Sequence, residues 1–432
     1  MRATAAPEDS HDVAHDPAPD PTRPDAGVPP AVAARFTDAE RLALVRLRRD
    51  LHRHPELAFA ESRTAAALEA ALARAVPGAL ASVARVAGTG VVARVRGRDP
   101  HAPLVAVRGD IDALPIAEAT GLPYASVHPG VMHACGHDVH AAWAVGAAWL
   151  LAREPAAGDV LVVLQPAEET GEGALAVLAS GALDGVRAIF GAHVDRRFPV
   201  GEVVAQPGPL AASADTFTVV VHGRGAHGAR PHESADPVVA AAALVTALQT
   251  VVARRVNPSA PAVLTVATLA AGSAPNVIPE QATLGGTLRA TEPATRRLLA
   301  DELRHLATAV AAAHHCTATV SVDMGPPPIV NPEGPAGWAR EAAGRVLGAG
   351  AVVPLGITNM AGEDFACYME RIPGCFLRVG AREPGGEPTP AHTPRFHAAE
   401  GSVLVGAALL AECARVASAA LAAGAAPGTS PD

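Results

Sequence analysis

Three short apolar runs set the kind of sheet this chain can build. Leu104–Val107, Val160–Leu164 and Ala188–Ala192 contain no polar residue. Strands that lack polar alternation are covered on both faces, as in a parallel sheet held between helical layers. Each run leads into residues that can do chemistry. Asp110 and Asp112 follow the first, and His193 follows the third. The second passes into Gln165-Pro166-Ala167-Glu168-Glu169, where Pro166 halts the strand. Open α/β sheets bind ligands in the crevice beyond the carboxyl ends of their strands. The expected fold is therefore α/β, with a larger catalytic domain built on a mixed sheet flanked by helices.

A different pattern begins near Ala214. Strand Thr216–Val221, helix Pro237–Ala253, strands Ala262–Leu269 and Ala282–Ala290, helix Pro293–Ala313 and strand Thr317–Val322 follow in turn. This βαββαβ order is that of a small ferredoxin-like domain. The predicted organisation is a small domain over residues 213–324 inserted within a larger, discontinuous α/β domain of residues 36–212 and 325–423. Thr37-Asp38-Ala39-Glu40 has the form of a capping box opening a helix through Leu51, and a second helix is expected over Ser62–Ala75. Residues 1–35, rich in Pro, Asp, Ala and His, and residues 424–432 are read as disordered tails.

The bulk chemistry narrows the partners. A formal net charge of -9 disfavours nucleic acid and anionic membranes. No apolar run free of charges and turn residues reaches the ~18 positions of a membrane span. Leu409–Ala425 comes nearest, but Glu412 and Arg415 interrupt it, and it reads as a terminal helix. Five cysteines at irregular spacing, with no signal-peptide pattern, point to a reducing cytoplasm rather than a disulfide framework.

The densest chemistry lies in Met132-His133-Ala134-Cys135-Gly136-His137-Asp138-Val139-His140. Thiolate, imidazole and carboxylate are the side chains that bind divalent transition metals. Cys135 and His137, two apart, point to one side of a turn. Glu168 and Glu169 diverge at a strand end, so one can bind metal while its neighbour reaches a bound water. With His193 and with His392 from the loop before the last helix, Cys135, His137 and Glu169 form a set able to hold two ions. In the inserted domain His227 sits on a glycine-rich turn, Asn276 between flanking prolines, and Arg289 at a strand end. These three suit a developing oxyanion and a substrate carboxylate.

The ordered motifs resemble the amidohydrolases of the co-catalytic metallopeptidase group that includes aminoacylase, in the branch of hippurate hydrolase and indole-acetyl-amino-acid hydrolases. They are Leu51-His52-Arg53-His54-Pro55-Glu56-Leu57, Asp110-Ile111-Asp112-Ala113-Leu114-Pro115, Gly121-Leu122-Pro123-Tyr124-Ala125, the Met132–Asp138 and Gln165–Glu169 segments, Gly191-Ala192-His193, Asn276–Pro279, Gly286–Arg289, Gly362–Phe365 and His392–Phe396. The resemblance implies two divalent metals (Zn²⁺ or Mn²⁺, with Co²⁺ or Ni²⁺ also acceptable) on Cys135, His137, Glu169, His193 and His392, one ligand bridging. It implies Glu168 as general base and acid, and His227 assisting the oxyanion, in some relatives from the partner subunit. Asn276 and Arg289 would lie near the substrate carboxylate, and Asp112 would orient a ligand. Asp138 is the next candidate for such support, while His133 and His140 are left to packing. The implied enzyme is a cytoplasmic, metal-dependent amidohydrolase of N-acyl-amino acids. The resemblance makes residues 213–324 the lid and dimerisation domain of a homodimer, and residues 36–212 and 325–423 the metal-binding domain.

The chain departs from the pattern in small ways. Gly109 stands where relatives usually carry Ala, Gly228 follows His227, and Arg196 and Arg197 lie close to His193. Two other classes compete with this reading. One is a cysteine hydrolase with Cys135 as nucleophile, which leaves Glu168 and Glu169 without a role. The other is a zinc-stabilised binding protein, whose closed four-ligand site the Glu pair fits poorly.

Overall fold

The computed structural model describes residues 26–75 and 78–426. Its main sheet has seven strands, in the order Leu80–Val86, Gly90–Val95, Val160–Gln165, Leu104–Asp110, Val186–Pro199, Gly374–Arg382 and Val203–Val204. The four from Val160–Gln165 to Gly374–Arg382 run parallel; the flanking strands are antiparallel. The three apolar runs are thus central, and residue by residue they divide between two cores. Val105, Val107, Val160, Val162, Leu164, Ala188, Phe190 and Ala192 face one helical layer. Ala106, Leu161, Val163 and Ile189 face the other side. A period of two with both phases apolar is what a doubly covered strand requires.

The thicker layer is made by helices Asp38–Arg53, Ser62–Leu72, His137–Arg153, Glu333–Leu347 and Gly401–Ala422. The capping box forms as expected: the Thr37 side chain accepts from the Glu40 N–H, and Glu40 accepts from the Thr37 N–H. Gly401–Ala422 and His137–Arg153 pack across small residues. Trp143 fills the notch left by Gly406, and Leu44 that left by Gly146.

The second unit has strands Asp215–His222, Ala262–Ala271, Gln281–Ala290 and Thr317–Asp323 and helices Pro237–Arg254 and Pro293–Ala313. Numbered within the unit, its antiparallel strands lie in the order 4-1-3-2, with both helices on one face. Asp215 joins it to the main body: its buried carboxylate accepts from Arg296 at 2.6 and 2.9 Å and from the Gly325 N–H at 3.0 Å.

Several sequence expectations are corrected. Residues 26–35 are not a tail: Pro30–Ala33 is a helical turn against Glu333–Leu347 and Gly401–Ala422, with Val32 buried. Residues 1–25 and 427–432 lie outside the described residues. The strand of His193 does not stop there but continues to Pro199. Two helices, Pro237–Arg254 and Gly401–Ala422, are apolar and long enough to cross a membrane by length and composition, where the sequence reading singled out only the second. Gly401–Ala422 is a core helix, and Pro237–Arg254 lays Ala240, Leu244, Leu248 and Val251 on the small sheet.

The packing makes a paired prediction. A Cβ on Gly406 would lie 2.1 Å from Trp143 Cε3, whereas one on Gly337, in helix Glu333–Leu347, meets nothing within 4 Å. Helix propensity favours Ala over Gly by up to about 1 kcal/mol, and overpacking costs about 1–3 kcal/mol. Gly337→Ala should therefore raise the urea midpoint and Gly406→Ala lower it; equal responses would show that the notch is not tight.

Candidate active site

The site is assembled by three unusual backbone positions. Gly136, at φ 92°, lies between Cys135 and the first residue of helix His137–Arg153; a Cβ there would sit 2.5 Å from Val194 Cγ2. Only glycine combines that conformation with that approach. Ala167, at φ 54°, turns the chain out of its strand so that Glu168 and Glu169 diverge. The Ala167 N–H donates to the buried carboxylate of Glu61 at 2.9 Å, which holds the turn. His392, at φ 62°, donates its N–H to the Ala134 carbonyl at 2.8 Å, fastening the late loop beside Cys135. Non-glycine residues with positive φ are sparse and mark places where the surroundings over-determine the backbone.

Donor atoms converge on this frame. Cys135, His137 and His193 form one group whose ligand atoms lie within 4.8 Å of one another; Cys135, Glu169 and His392 form a second. Cys135 belongs to both. Its Sγ lies 3.2 Å from His193 Nε2, and His392 Nε2 lies 3.4 Å from Glu169 Oε2. His137 Nδ1 is 2.9 Å from the Asp112 carbonyl and 3.1 Å from its carboxylate, and His193 Nδ1 is 2.7 Å from the Val194 carbonyl. Both contacts require Nδ1 to carry the proton, which leaves each Nε2 to the cluster. His137 Nε2 and Glu169 Oε1 are buried and have no hydrogen-bond partner. Asp112 also accepts from the Glu169 N–H at 2.9 Å, so one carboxylate orients two members of the cluster.

The surroundings are strongly acidic. Arg108, fully buried, meets Asp110 at 2.5 Å, Asp364 at 2.9 Å and Glu363 at 3.1 Å. Glu168 lies 3.7 Å from His137 Nε2, and burial with the charges of Glu363 and Asp364 pushes its carboxyl well above the usual range. Burial, with Asp112 and Asp110 nearby, pushes Glu169 up to about 7. Burial also drives the Cys135 thiol well above its ordinary value, and Glu169 adds to this.

The remaining sequence candidates are placed as follows. Asp138 turns away from the cluster: it pairs with Arg48 at 2.7 Å and His52 at 2.8 Å, anchoring helix Asp38–Arg53, and this corrects its expected role beside a ligand. His140 has both ring nitrogens engaged, by Asp110 at 2.6 Å and the Val194 N–H at 3.0 Å. His133 is buried with both nitrogens unpartnered, and burial lowers it to about 4. His227 and Asn276 sit together on an exposed two-stranded ribbon, joined by the Gly228 N–H to Asn276 carbonyl bond of 2.7 Å; neither is among the groups meeting at Cys135. Arg289 reaches the Met360 carbonyl at 3.3 Å. Arg196 is tied to Glu383 at 2.9 Å and Arg197 to Asp195 at 2.7 Å. Sequence reasoning assigned no role to Arg108, Glu61, Gln165, Glu363 or Asp364. The Gly362–Phe365 motif was the available signal for the last two.

Comparison with known proteins agrees with this geometry. The model of peptidase family M20/M25/M40 matches residues 106–416. An N-acetyl-L-cysteine deacetylase of Bacillus subtilis (strain 168) is 42% identical over 343 residues, 78% of this chain and 80% of that protein. The IAA-amino acid hydrolase ILR1-like 4 of Arabidopsis thaliana is 36% identical over 386 residues, 86% and 84% of the two chains. The crystal structure of Bacillus subtilis YXEP, a dinuclear metal-binding peptidase from the M20 family, superposes with a TM-score of 0.78 at 36% identity, covering 88% of this chain and 99% of that one. A mixed seven-stranded sheet covered by helices, an inserted four-stranded unit, two donor groups sharing a thiol and a family match across 106–416 lead to one assignment: the chain belongs to peptidase family M20/M25/M40 and is a hydrolase of amide bonds.

Proposed function

We propose that the protein hydrolyses the amide bond of N-acyl-amino acids at a pair of divalent cations, with Glu168 carrying the proton. The observation that carries this reading is the pair of donor groups meeting at Cys135 with Glu168 alongside. The donors suit metal: a thiol, three imidazoles each presenting a nitrogen, and a carboxylate, with His137 Nε2 and Glu169 Oε1 buried and unpartnered. Cys135, His137, Glu169, His193 and His392 would hold the ions, Cys135 being the one residue placed to be shared. Divalent cations there would polarise a carbonyl and bring the pKa of bound water toward ~7. Soft thiolate with imidazole favours zinc, though manganese, cobalt and nickel also accept this mixture.

The chain's own residues supply the rest. Glu168 is buried among carboxylates that raise its proton affinity, as suits a group that takes a proton from water and returns it to the leaving amine. Arg289 and Asn276 would receive the substrate carboxylate. The high proton affinity of the Cys135 thiol weighs against a free thiolate nucleophile. All five cysteines are free and buried, in keeping with a cytoplasmic protein.

We further infer a homodimer through the small unit. Strand Ala262–Ala271 is an exposed edge carrying Leu269, and Val277, paired with His227 in the ribbon, is also exposed. A second copy covering this edge would protect it and would bring His227 of the partner subunit to the oxyanion.

Three outcomes are expected. Glu168→Gln should retain metal by elemental analysis yet lose at least ~10²-fold in kcat on N-acetyl-amino acids; chelation should abolish wild-type activity, and added Zn²⁺ or Mn²⁺ should restore it. Asp112→Asn should weaken metal binding by about 10–100-fold in a competition titration; unaltered affinity would remove Asp112 from the site. Finally, His227→Ala and Glu168→Gln enzymes, each inactive, should regain activity when unfolded and refolded together, because a mixed dimer contains one complete site. No recovery would place His227 in its own subunit or outside the mechanism.

A further inference from the structure

We propose that Arg378 is a specificity residue that receives a second carboxylate on the substrate, beyond the one assigned to Arg289. The inference rests on the N-acyl-amino-acid reading above. A cavity of about 390 Å³ opens from His193 and is lined by Arg197, Asn359, Arg378, Thr389 and Phe396, among others. Arg378 lies on strand Gly374–Arg382, in register with His193 on the neighbouring parallel strand, so both side chains leave the same face of the sheet. Arg378 is only 5% exposed, its Nε has no hydrogen-bond partner, and no carboxylate pairs with its guanidinium among the described residues. Its guanidinium carbon lies 5.6 Å from the centroid of the Phe376 ring.

The charges around the cavity sharpen this. Arg197 is paired with Asp195, and Arg196 with Glu383. Among the described residues Arg378 is therefore the lining arginine that makes no ion pair, Asp195 and Glu363 acting on it only from beyond contact distance. A buried guanidinium is retained at a cost unless an anion meets it, and its planar fork suits a carboxylate. The anion can come from either side of the scissile amide: a dicarboxylic acyl group, or the side chain of an acidic amino acid.

The test compares holoenzyme and the variants Arg378→Met and Arg378→Lys on three substrates: N-acetyl-L-leucine, N-acetyl-L-glutamate and N-succinyl-L-leucine. Loss of a charge-assisted contact should cost Arg378→Met about 10–100-fold in kcat/KM on one of the two dianionic substrates, mostly through KM, with partial recovery in Arg378→Lys and a far smaller loss on N-acetyl-L-leucine. The substrate that suffers identifies the source of the carboxylate. An equal loss on all three, or no loss on either dianion, overturns the proposal while leaving the amidohydrolase reading intact. Calorimetric titration with glutarate and with butyrate needs no turnover. Wild type should prefer glutarate and Arg378→Met should not. If none of the three substrates is cleaved, the broader reading fails, and this titration alone decides the role of Arg378.

Discussion

The structure depends on a buried concentration of negative charge that the fold must neutralise without filling. Asp110, Asp112, Glu168, Glu169, Glu363 and Asp364 come from three separate stretches of chain. Arg108 holds three of them at once, and Gln165 completes the set, accepting from Arg108 at 2.8 Å and from the Tyr368 hydroxyl at 2.9 Å while donating to Asp364. Such networks are stabilising only when every member is satisfied. Here they are satisfied everywhere except at the side facing His137, where Nε2 and the Glu169 oxygen remain unpaired. The unmet demand is for positive charge, and it lies where the two donor groups overlap.

Much of this was legible from sequence because it is local. The apolar runs, the Cys135-Gly136-His137 turn and the Glu168-Glu169 pair declare themselves within a few positions. The βαββαβ order of the small unit could be read from periodicity, and its 4-1-3-2 strand arrangement follows from that order. What remained hidden is long-range. Nothing near Asp138 announces that it will turn to Arg48 and His52, since that depends on where helix Asp38–Arg53 docks. The length of the His193 strand was missed because Asp195, Arg196 and Arg197 break the apolar pattern. Their polarity reflects pairing at a cavity wall rather than the end of a strand.

The scarcity of aromatic residues, 3% of the chain, shapes the packing. Alanine, valine and glycine bring helices His137–Arg153 and Gly401–Ala422 close together and close to the sheet. A Cβ on Gly109 would meet the His140 carbonyl at 2.4 Å. The helix that begins with His137 is thus seated directly on the strand that ends with Asp110, and the distance between those two residues is set by backbone contact rather than by adjustable side chains. A ligand cluster tolerates little displacement, and rigid seating of this kind supplies the needed precision.

The cavity beside His193 has walls drawn entirely from the large unit: the end of the Val186–Pro199 strand, the 357–360 loop, Arg378 and the 388–391 loop. The small unit contributes no residue to it. The contact proposed for Arg378 is thereby separated in the chain from the one proposed for Arg289. Loops 357–360 and 388–391 can change in sequence and length without disturbing either sheet. In a fold of this kind, one wall can vary while the donor cluster at Cys135 and the small unit stay fixed.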